Sequence, residues 1–316
     1  MKLEKQFAKL KNTNDYFKAN GIADIYTNSK IYELVIAEQL GHQIINGHAN
    51  TPDACDENNR IYEYKHYKKS SGNHTWTFND FSRNTIKNLN SIDYVIFASI
   101  DDRTIIPYVN KIYLVKAKDV AKYLKQAIQY IENNRDMINI SPRQIEKNLK
   151  HIIIYPEKIK YTKALTNVFL TINQVEKNTG IQGLLTSNKI WELLVAQNLY
   201  HKINSEQKKH DATDKFENTY EYKISGRGLS WTFQDISDNV LNSYLQDKAI
   251  VLAVVDKVEF IVKRIYVCDS ASVVYMLRNK LVTKINKNGN VKRLSVSFGK
   301  RNLETLLERG KAYCHL

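Results

Sequence analysis

Hydrophobic residues along the chain alternate between a helical and an extended spacing. In residues 29–40 they recur every three or four positions, which predicts an amphipathic helix that ends at Gly41. Residues 5–20 and 120–131 show the same spacing and are also predicted to be helical. Short apolar runs at 94–99 and 111–115 predict buried strands. Helices and strands in this alternation indicate an α/β protein of the α+β kind, with a mixed sheet flanked by helices.

Residues 53–65 read Asp-Ala-Cys-Asp-Glu-Asn-Asn-Arg-Ile-Tyr-Glu-Tyr-Lys and predict a β-hairpin. Side chains alternate between the faces of a strand, so Glu63 and Lys65 point one way while the two tyrosines point the other. The turn lets Asp53 return beside Glu63. Two carboxylates suit Mg²⁺, and a neighbouring lysine can orient a water for attack on phosphorus.

The whole order of elements occurs twice. Gly21 and Gly180 lie 159 positions apart, and Lys111 and Arg264 lie 153 apart, so the two copies differ by a few small gaps. The predicted copies are residues 1–155 and 156–316. A linker is predicted at 151–166, although residues 152–155 also suit a last strand of the first copy.

Composition points to a polyanionic partner. The 316 residues carry a net charge of +14 and a pI near 9.4, which favours nucleic acid, although a merely basic soluble protein is the alternative. The three cysteines lack a metal or disulfide spacing, and the sequence has neither a signal-peptide core nor an apolar run long enough for a bilayer. We therefore expect a cytoplasmic protein without a membrane partner.

The hairpin motif resembles that of PD-(D/E)xK restriction-endonuclease-like nucleases. Pro52-Asp53 is followed by Glu63-x-Lys65, and the preceding Gly21-Ile22 extends the likeness to type II restriction endonucleases of the PvuII type. A single Glu-x-Lys is common as an exposed ion pair. Its recurrence with an aspartate in both copies favours a catalytic role over a simple ion pair. The resemblance implies a restriction-endonuclease-like fold, duplicated in tandem as a pseudo-dimer.

The resemblance also implies roles. Asp53 and Glu63 would bind the catalytic Mg²⁺, one or two ions per site, with the main-chain carbonyl of Tyr64, and Lys65 would position the nucleophilic water. The same roles fall in the second copy on Asp211, Glu221, the carbonyl of Tyr222, and Lys223.

A further carboxylate is expected near each site. In PvuII-type enzymes it follows the Gly-Ile stretch, where this chain has Asn28 and Ser187. Other relatives use a glutamate on the first core helix, for which Glu33 and Glu192 are the candidates. A solvated helix face is the alternative role for both glutamates.

The segment that follows each motif lysine, 76–82 in the first copy and 231–237 in the second, is a candidate for contacting DNA bases. Asn and Gln can bond adenine twice, and Asp can accept from the cytosine amino group. The alternative is a core tryptophan followed by an aspartate that caps a helix. The candidate base readers are Asn79, Asp80, Gln234 and Asp235, and the other candidate DNA contacts are Lys68, Lys69, Arg227, Ser141 and Ser297.

These inferences together predict a type II restriction endonuclease. Such an enzyme hydrolyses both strands of a specific double-stranded DNA sequence with Mg²⁺, one strand per catalytic motif, and leaves 5′-phosphate ends. The two copies would act as a pseudo-dimer within a monomer, and a restriction-modification system would supply a cognate DNA methyltransferase. The alternatives are a structure-specific repair or recombination nuclease, and a DNA-binding protein without cleavage.

Overall fold

The chain folds into two compact units in the computed structural model, which describes residues 2–27, 29–45, 52–79, 83–130, 137–185, 188–205, 210–288 and 294–316. The first unit is Asn12–Gln174. The second unit joins Met1–Lys11 to Val175–Leu316. Both are mixed α/β structures, which confirms the predicted fold class at that level.

The elements of both copies follow the predicted order, with ten helices in the described ranges. Those of the first copy are α1 (Lys2–Ala19), α2 (Lys30–Leu40), β1 (Gln43–Ile44), β2 (Ala54–Cys55), β3 (Ile61–Lys68), β4 (Trp76–Phe78), α3 (Arg83–Asn90), β5 (Tyr94–Asp101), β6 (Tyr108–Lys116), α4 (Ala117–Ala127), β7 (Ile138–Ile140), α5 (Pro142–Asn148) and β8 (His151–Ile154). Those of the second copy are α6 (Lys163–Thr179), α7 (Lys189–Leu199), β9 (Lys202–Ile203), β10 (Ala212–Thr213), β11 (Thr219–Ser225), β12 (Ser230–Ile236), α8 (Asp238–Tyr244), β13 (Ala249–Asp256), β14 (Ile261–Asp269), α9 (Ser270–Asn288), β15 (Leu294–Gly299), α10 (Lys300–Glu308) and β16 (Ala312–Cys314).

Each unit contains a six-stranded mixed sheet, and the two sheets have the same strand order. The order is β1-β2-β3-β5-β6-β8 in the first unit and β9-β10-β11-β13-β14-β16 in the second. One parallel pair, β3 with β5 or β11 with β13, lies at the centre, and the remaining neighbours are antiparallel. Strands β5 and β13 are buried along almost their whole length, as expected for apolar runs in a sheet covered on both faces.

A two-stranded ribbon packs beside each sheet, formed by β4 with β7 and by β12 with β15. Trp76 pairs with Ile140, and Trp231 pairs with Phe298. Alignment of the two copies by sequence predicts that Ile140-Ser141 corresponds to Val296-Ser297, and the pairing shows that this prediction is wrong by two residues. The chain from each tryptophan to its partner is longer in the second copy, 67 positions against 64, and a register shift of two residues leaves the apolar face unchanged.

Helix α2 begins and ends as the apolar spacing predicts. It runs from Lys30 to Leu40 and ends at Gly41, whose φ of 70° is in the left-handed region that glycine adopts without a steric cost. The equivalent end of α7 is Tyr200, a non-glycine residue with φ 56°.

The predicted linker is largely structured. Strand β8 is the last strand of the first sheet, which confirms the strand alternative for this region. Beyond it, the Gln39 side chain donates to the Glu157 carbonyl at 2.9 Å and accepts from the Tyr161 hydroxyl at 2.7 Å. Thr162 bonds both carboxylate oxygens of Glu38. The segment is thereby fixed to α2 within the first unit.

Two helices contribute residues to both units. Helix α1 gives Lys2–Lys11 to the second unit and the rest to the first, while α6 gives 163–174 to the first unit and the rest to the second. Phe7 accordingly packs 6.1 Å from Phe260, and Phe169 packs 6.3 Å from Tyr32. Each unit therefore contains a piece of the helix that begins the other sequence copy.

Candidate active site

The predicted hairpin forms and carries Asp53 to the side of β3. Strands β2 and β3 pair with Ala54 opposite Tyr62. The Asp53 carboxylate accepts the Tyr64 backbone N–H at 2.6 Å, and the Asp53 N–H donates to the Tyr62 carbonyl at 3.0 Å. The aspartate is thus fixed at both its backbone and its side chain.

Alternation along β3 separates the chemical residues from the packing residues. Tyr62 and Tyr64 are buried on one face, whereas Glu63 and Lys65 are half-buried on the other. The Lys65 Nζ lies 2.5 Å from a Glu63 carboxylate oxygen and 5.2 Å from the centre of the Phe78 ring. Asp53, Glu63 and Lys65 therefore surround one point at this strand.

The second copy repeats this arrangement. The Asp211 carboxylate accepts the Tyr222 backbone N–H at 2.9 Å, and Lys223 donates a hydrogen bond to Glu221. The Lys223 ammonium lies 5.4 Å from the Phe233 ring centre and 5.5 Å from that of Tyr244. The same contacts thus arise from two stretches of sequence that have diverged elsewhere.

The glutamate of α2 joins the first cluster. Burial raises the pKa of Glu33 to about 7, with Lys30 and Lys65 opposing and Glu63 adding to the rise. Burial, Glu63 and Glu33 together raise the pKa of Asp53 well above its usual range. Burial alone would lower the pKa of Lys65, but the three carboxylates more than offset it. Glu33 is half-buried and acts electrostatically on Asp53 and Lys65, so it lies beside this cluster and not on a fully solvated helix face.

The equivalent cluster in the second copy has its own electrostatic pattern. Burial and Asp211 raise the pKa of Glu192, against the effect of Lys189. Burial also raises the pKa of Glu221 to about 7, with Lys223 opposing. Lys189 lies 2.7 Å from Glu192 and 3.2 Å from Asp211. A helix lysine is thus part of this cluster.

The donor set suits a hard divalent cation. Carboxylate oxygens are the ligands that Mg²⁺ prefers, and carboxylates that raise one another's pKa mark a place where added positive charge is stabilising. Within the described ranges, no group of three or more His, Cys, Asp or Glu side chains is arranged to hold a metal as it stands. Lys65 and Lys223 instead pair with the glutamates. Ligation would require these ion pairs to open.

The base-reading candidates lie next to the ribbons. Asn79 is exposed after β4, and Gln234 and Asp235 are exposed in β12. The pairing register shifts after Phe233, and Asp235 has φ 53°, so a bulge turns these side chains out of the ladder.

The capping role considered for Asp235 is wrong. Ser237 is the N-cap of α8 and accepts the Val240 N–H at 3.3 Å. The other part of that alternative, a tryptophan in the core, is confirmed. The Trp76 and Trp231 indoles are buried, and each donates to a strand carbonyl at 2.8 Å. Asn28, Ser187 and Asp80 lie outside the described residues.

Two phosphate-contact candidates have acidic partners. Lys69 Nζ lies 3.4 Å from Asp101, and Lys68 Nζ lies 3.9 Å from Asp102. Arg227 is exposed. The lysines must exchange these partners before they can contact a phosphate.

The two candidate serines have different settings. Ser141 caps α5 in a capping box with Gln144, so its hydroxyl already has a structural role. Ser297 is exposed on β15, opposite Thr232. Because the ribbon register differs from the predicted one, they are not equivalent residues.

The aspartates in the two hairpin turns have a structural role. Asp56 accepts the backbone N–H groups of Asn58 and Arg60, and Asp214 does the same in the second hairpin. His42 and His201 bond the hydroxyls of Tyr64 and Tyr222 at 2.8 Å, so the one histidine pair that aligns between the copies supports the motif strands.

Sequence reasoning missed a polar pair that only the second site has. The His210 Nδ1 lies 2.6 Å from the Asp247 carboxylate, directly before Asp211. The corresponding residues of the first copy are Pro52 and Ile92. Comparison of the two copies at Pro52 could have found this difference, but its partner is far away in sequence.

Comparison of the chain with protein-family models gives no match, and comparison with curated protein sequences gives no significant one either. None of the helices in the described ranges is both long and apolar enough to span a bilayer.

Proposed function

We propose that this protein is a Mg²⁺-dependent type II restriction endonuclease of the PD-(D/E)xK kind, with one catalytic site in each copy. The observation that supports this most directly is the bond from the backbone N–H between Glu and Lys to the upstream aspartate. It occurs at Tyr64 with Asp53 and at Tyr222 with Asp211. Packing alone does not require an aspartate, a glutamate and a lysine to converge in this way twice.

Asp53, Glu63 and the carbonyl of Tyr64 would hold the divalent ion in the first copy, with Glu33 beside them. When bound, the ion supplies positive charge that stabilises the phosphorane-like transition state and lowers the pKa of the attacking water. Water oxygen forms a bond to phosphorus while the bond to the 3′ oxygen breaks. That oxygen takes up a proton, which leaves a 3′-hydroxyl and a 5′-phosphate.

Lys65 and Lys223 orient the water. Burial opposes their charge, but the neighbouring carboxylates raise the pKa of each ammonium above its ordinary value. They therefore stay protonated at neutral pH and act as hydrogen-bond donors. The rings of Phe78 and Phe233 restrict where each ammonium can lie.

Two sites in one chain suit duplex DNA, which has two strands of opposite polarity. Most enzymes of this kind obtain two sites from a homodimer, whereas a tandem duplication supplies them within a monomer. The net charge of +14 favours binding to the phosphate backbone. Localisation in the cytoplasm beside a cognate methyltransferase belongs to the same proposal.

The test is incubation of the purified protein with mixed-sequence duplex DNA and Mg²⁺. Discrete fragments with 5′-phosphate ends are the expected result, and sequencing of the ends gives the site, the stagger and the strand cut by each copy. Binding without cleavage would instead indicate a DNA-binding protein. Cleavage only at forks or flaps would indicate a repair nuclease.

A further inference from the structure

The two candidate sites differ in the lysine that begins the neighbouring helix. Lys189, at the start of α7, has a side chain only 12% exposed. Its Nζ lies 2.7 Å from Glu192 Oε2 and 3.2 Å from Asp211 Oδ1. One ammonium thus joins two of the carboxylates in the second cluster.

The first copy has a lysine at the same place but uses it differently. Lys30 acts electrostatically on Glu33. Within the described residues, however, the Lys30 ammonium forms no ion pair with Glu33 or Asp53 like those that Lys189 forms with Glu192 and Asp211. The carboxylates of the first cluster therefore keep more of their mutual repulsion.

The two helix starts also differ in backbone conformation. The residue before Lys30 is Ser29, with φ 61° and ψ 20°, in the left-handed region. The residue before Lys189 is Asn188, with φ −75° and ψ 1°. The difference in lysine contacts between the copies therefore accompanies a different backbone conformation directly before the helix.

We propose that Lys189 acts as a built-in cation that competes with the divalent ion in the second copy, so that the first copy binds metal at lower concentrations. This rests on the proposed function, because it treats both clusters as metal sites. An ammonium and a divalent ion beside Asp211 and Glu192 repel each other, so the ion enters only as Lys189 withdraws. At limiting Mg²⁺, one strand is cut first and nicked DNA accumulates.

The test measures metal binding in the absence of DNA. Mn²⁺ is titrated calorimetrically into metal-free protein at pH 8. Two classes of sites are expected, with dissociation constants that differ about ten-fold or more, which corresponds to about 1.4 kcal/mol. Asp53→Asn should remove the tight class, and Asp211→Asn should remove the weak class.

The decisive variant is Lys189→Met, which keeps the length of the side chain and removes its charge. It should tighten the weak class about ten-fold, whereas Lys30→Met should leave that class unchanged. Lys189→Arg retains the charge and should preserve both classes. If Lys189→Met does not fold, the wild type and the two aspartate variants still decide whether the sites are unequal and which is weaker.

Equal sites in the wild type, or no change in Lys189→Met, would overturn this inference while leaving metal-dependent cleavage intact. Absence of Mn²⁺ binding together with absence of cleavage would overturn both this inference and the proposed function. The two failures are therefore distinguishable.

Discussion

At the scale of single residues, the candidate site brings together carboxylates and a lysine, each of which would be unfavourable to bury without a partner. Asp53 and Glu63 lie with Lys65, and Glu33 adds a third carboxylate whose pKa burial raises to about 7. Such clusters commonly mark functional sites, because folding tolerates their repulsion only with compensation nearby. Both the chemistry and the pH response of the protein should therefore depend on these few side chains.

Under the proposed function, removing one motif lysine should convert the protein into a nickase. In Lys65→Ala the donor that orients water is lost from the first copy, so cleavage of one strand should fall about a hundred-fold or more. Lys223→Ala should spare that strand and nick the other. Supercoiled plasmid would become open-circular instead of linear, and strand-specific labels would identify the cut.

Lys125→Ala, at an exposed lysine of α4, is the control and should still give linear product. Loss of both cuts in either motif variant, or double-strand cleavage at the normal rate, would contradict the assignment of one site to each strand.

The raised pKa of Glu33 predicts a pH-dependent stability of the metal-free protein. Its folded pKa of about 7 exceeds the ordinary 4.5, so the folded state binds more protons between these values. Stability from this group is complete below about pH 4.5 and is lost as the pH rises through 7. Glu33→Gln stays neutral at every pH. The unfolding free energy of this variant relative to that of the wild type should therefore rise by on the order of 2 kcal/mol between pH 5 and pH 8.

Urea unfolding in a chelator at both pH values measures this difference. Glu57→Gln, at an exposed carboxylate of the first hairpin, should show no such gain. A parallel response of the wild type and Glu33→Gln would mean that Glu33 ionises normally in the folded protein.

At the scale of elements, local signals predicted more than pairings could. The end of α2 at Gly41, the strand alternation at Tyr62 and Tyr64, and the order of elements are all properties of short sequence windows. The ribbon register was missed because a shift of two residues preserves which face is apolar. The Lys189 contacts were missed because both copies have a lysine at this helix start, and the sequence does not show which carboxylates each lysine reaches.

The ends of α2 and α7 provide a matched stability test. Both C-caps are left-handed, but Tyr200 pays a steric cost that Gly41 avoids, and its side chain is 90% exposed. Tyr200→Gly should therefore raise the unfolding free energy by about 0.5–1 kcal/mol. The reverse change, Gly41→Tyr, should lower it by a similar amount.

Chemical denaturation of each variant measures the effect. Tyr200→Ala separates backbone from side chain, because alanine keeps the left-handed cost and should resemble the wild type. A gain of equal size in Tyr200→Ala and Tyr200→Gly would show that the tyrosine side chain, not the backbone, is unfavourable.

At the scale of the whole molecule, the sequence copies and the compact units have different boundaries. Periodicity placed the copies at 1–155 and 156–316, whereas the units are Asn12–Gln174 and Met1–Lys11 with Val175–Leu316. The sequence repeat reflects a duplication, whereas a compact unit reflects which residues pack together. Only the structure reveals that the first residues of α1 pack in the unit of the second copy.

Phe7→Ala should therefore destabilise the unit of the second copy. Phe7 is 5% exposed and packs on Phe260, which lies 5.2 Å from Trp191. Loss of the ring should cost about 3 kcal/mol. Hydrogen exchange should accelerate in α7 more than in α2.

Tyr16→Ala, at a half-exposed tyrosine of α1 in the first unit, is the control and should change exchange little in α7. Equal acceleration in α2 and α7 after Phe7→Ala would contradict the assignment of this helix segment to the second unit.

The division of α1 and α6 between the two units predicts what would happen if the gene were split. A coding sequence split between codons 155 and 156 would give two polypeptides, neither of which carries all of a compact unit: one would lack residues 156–174 and the other residues 1–11. Each fragment would be expected to misfold alone and to recover when the other is co-expressed. A single-copy ancestor with the same division of this helix would have completed its compact unit with the helix of a second molecule. Gene fusion would then have joined two chains that already exchanged helices.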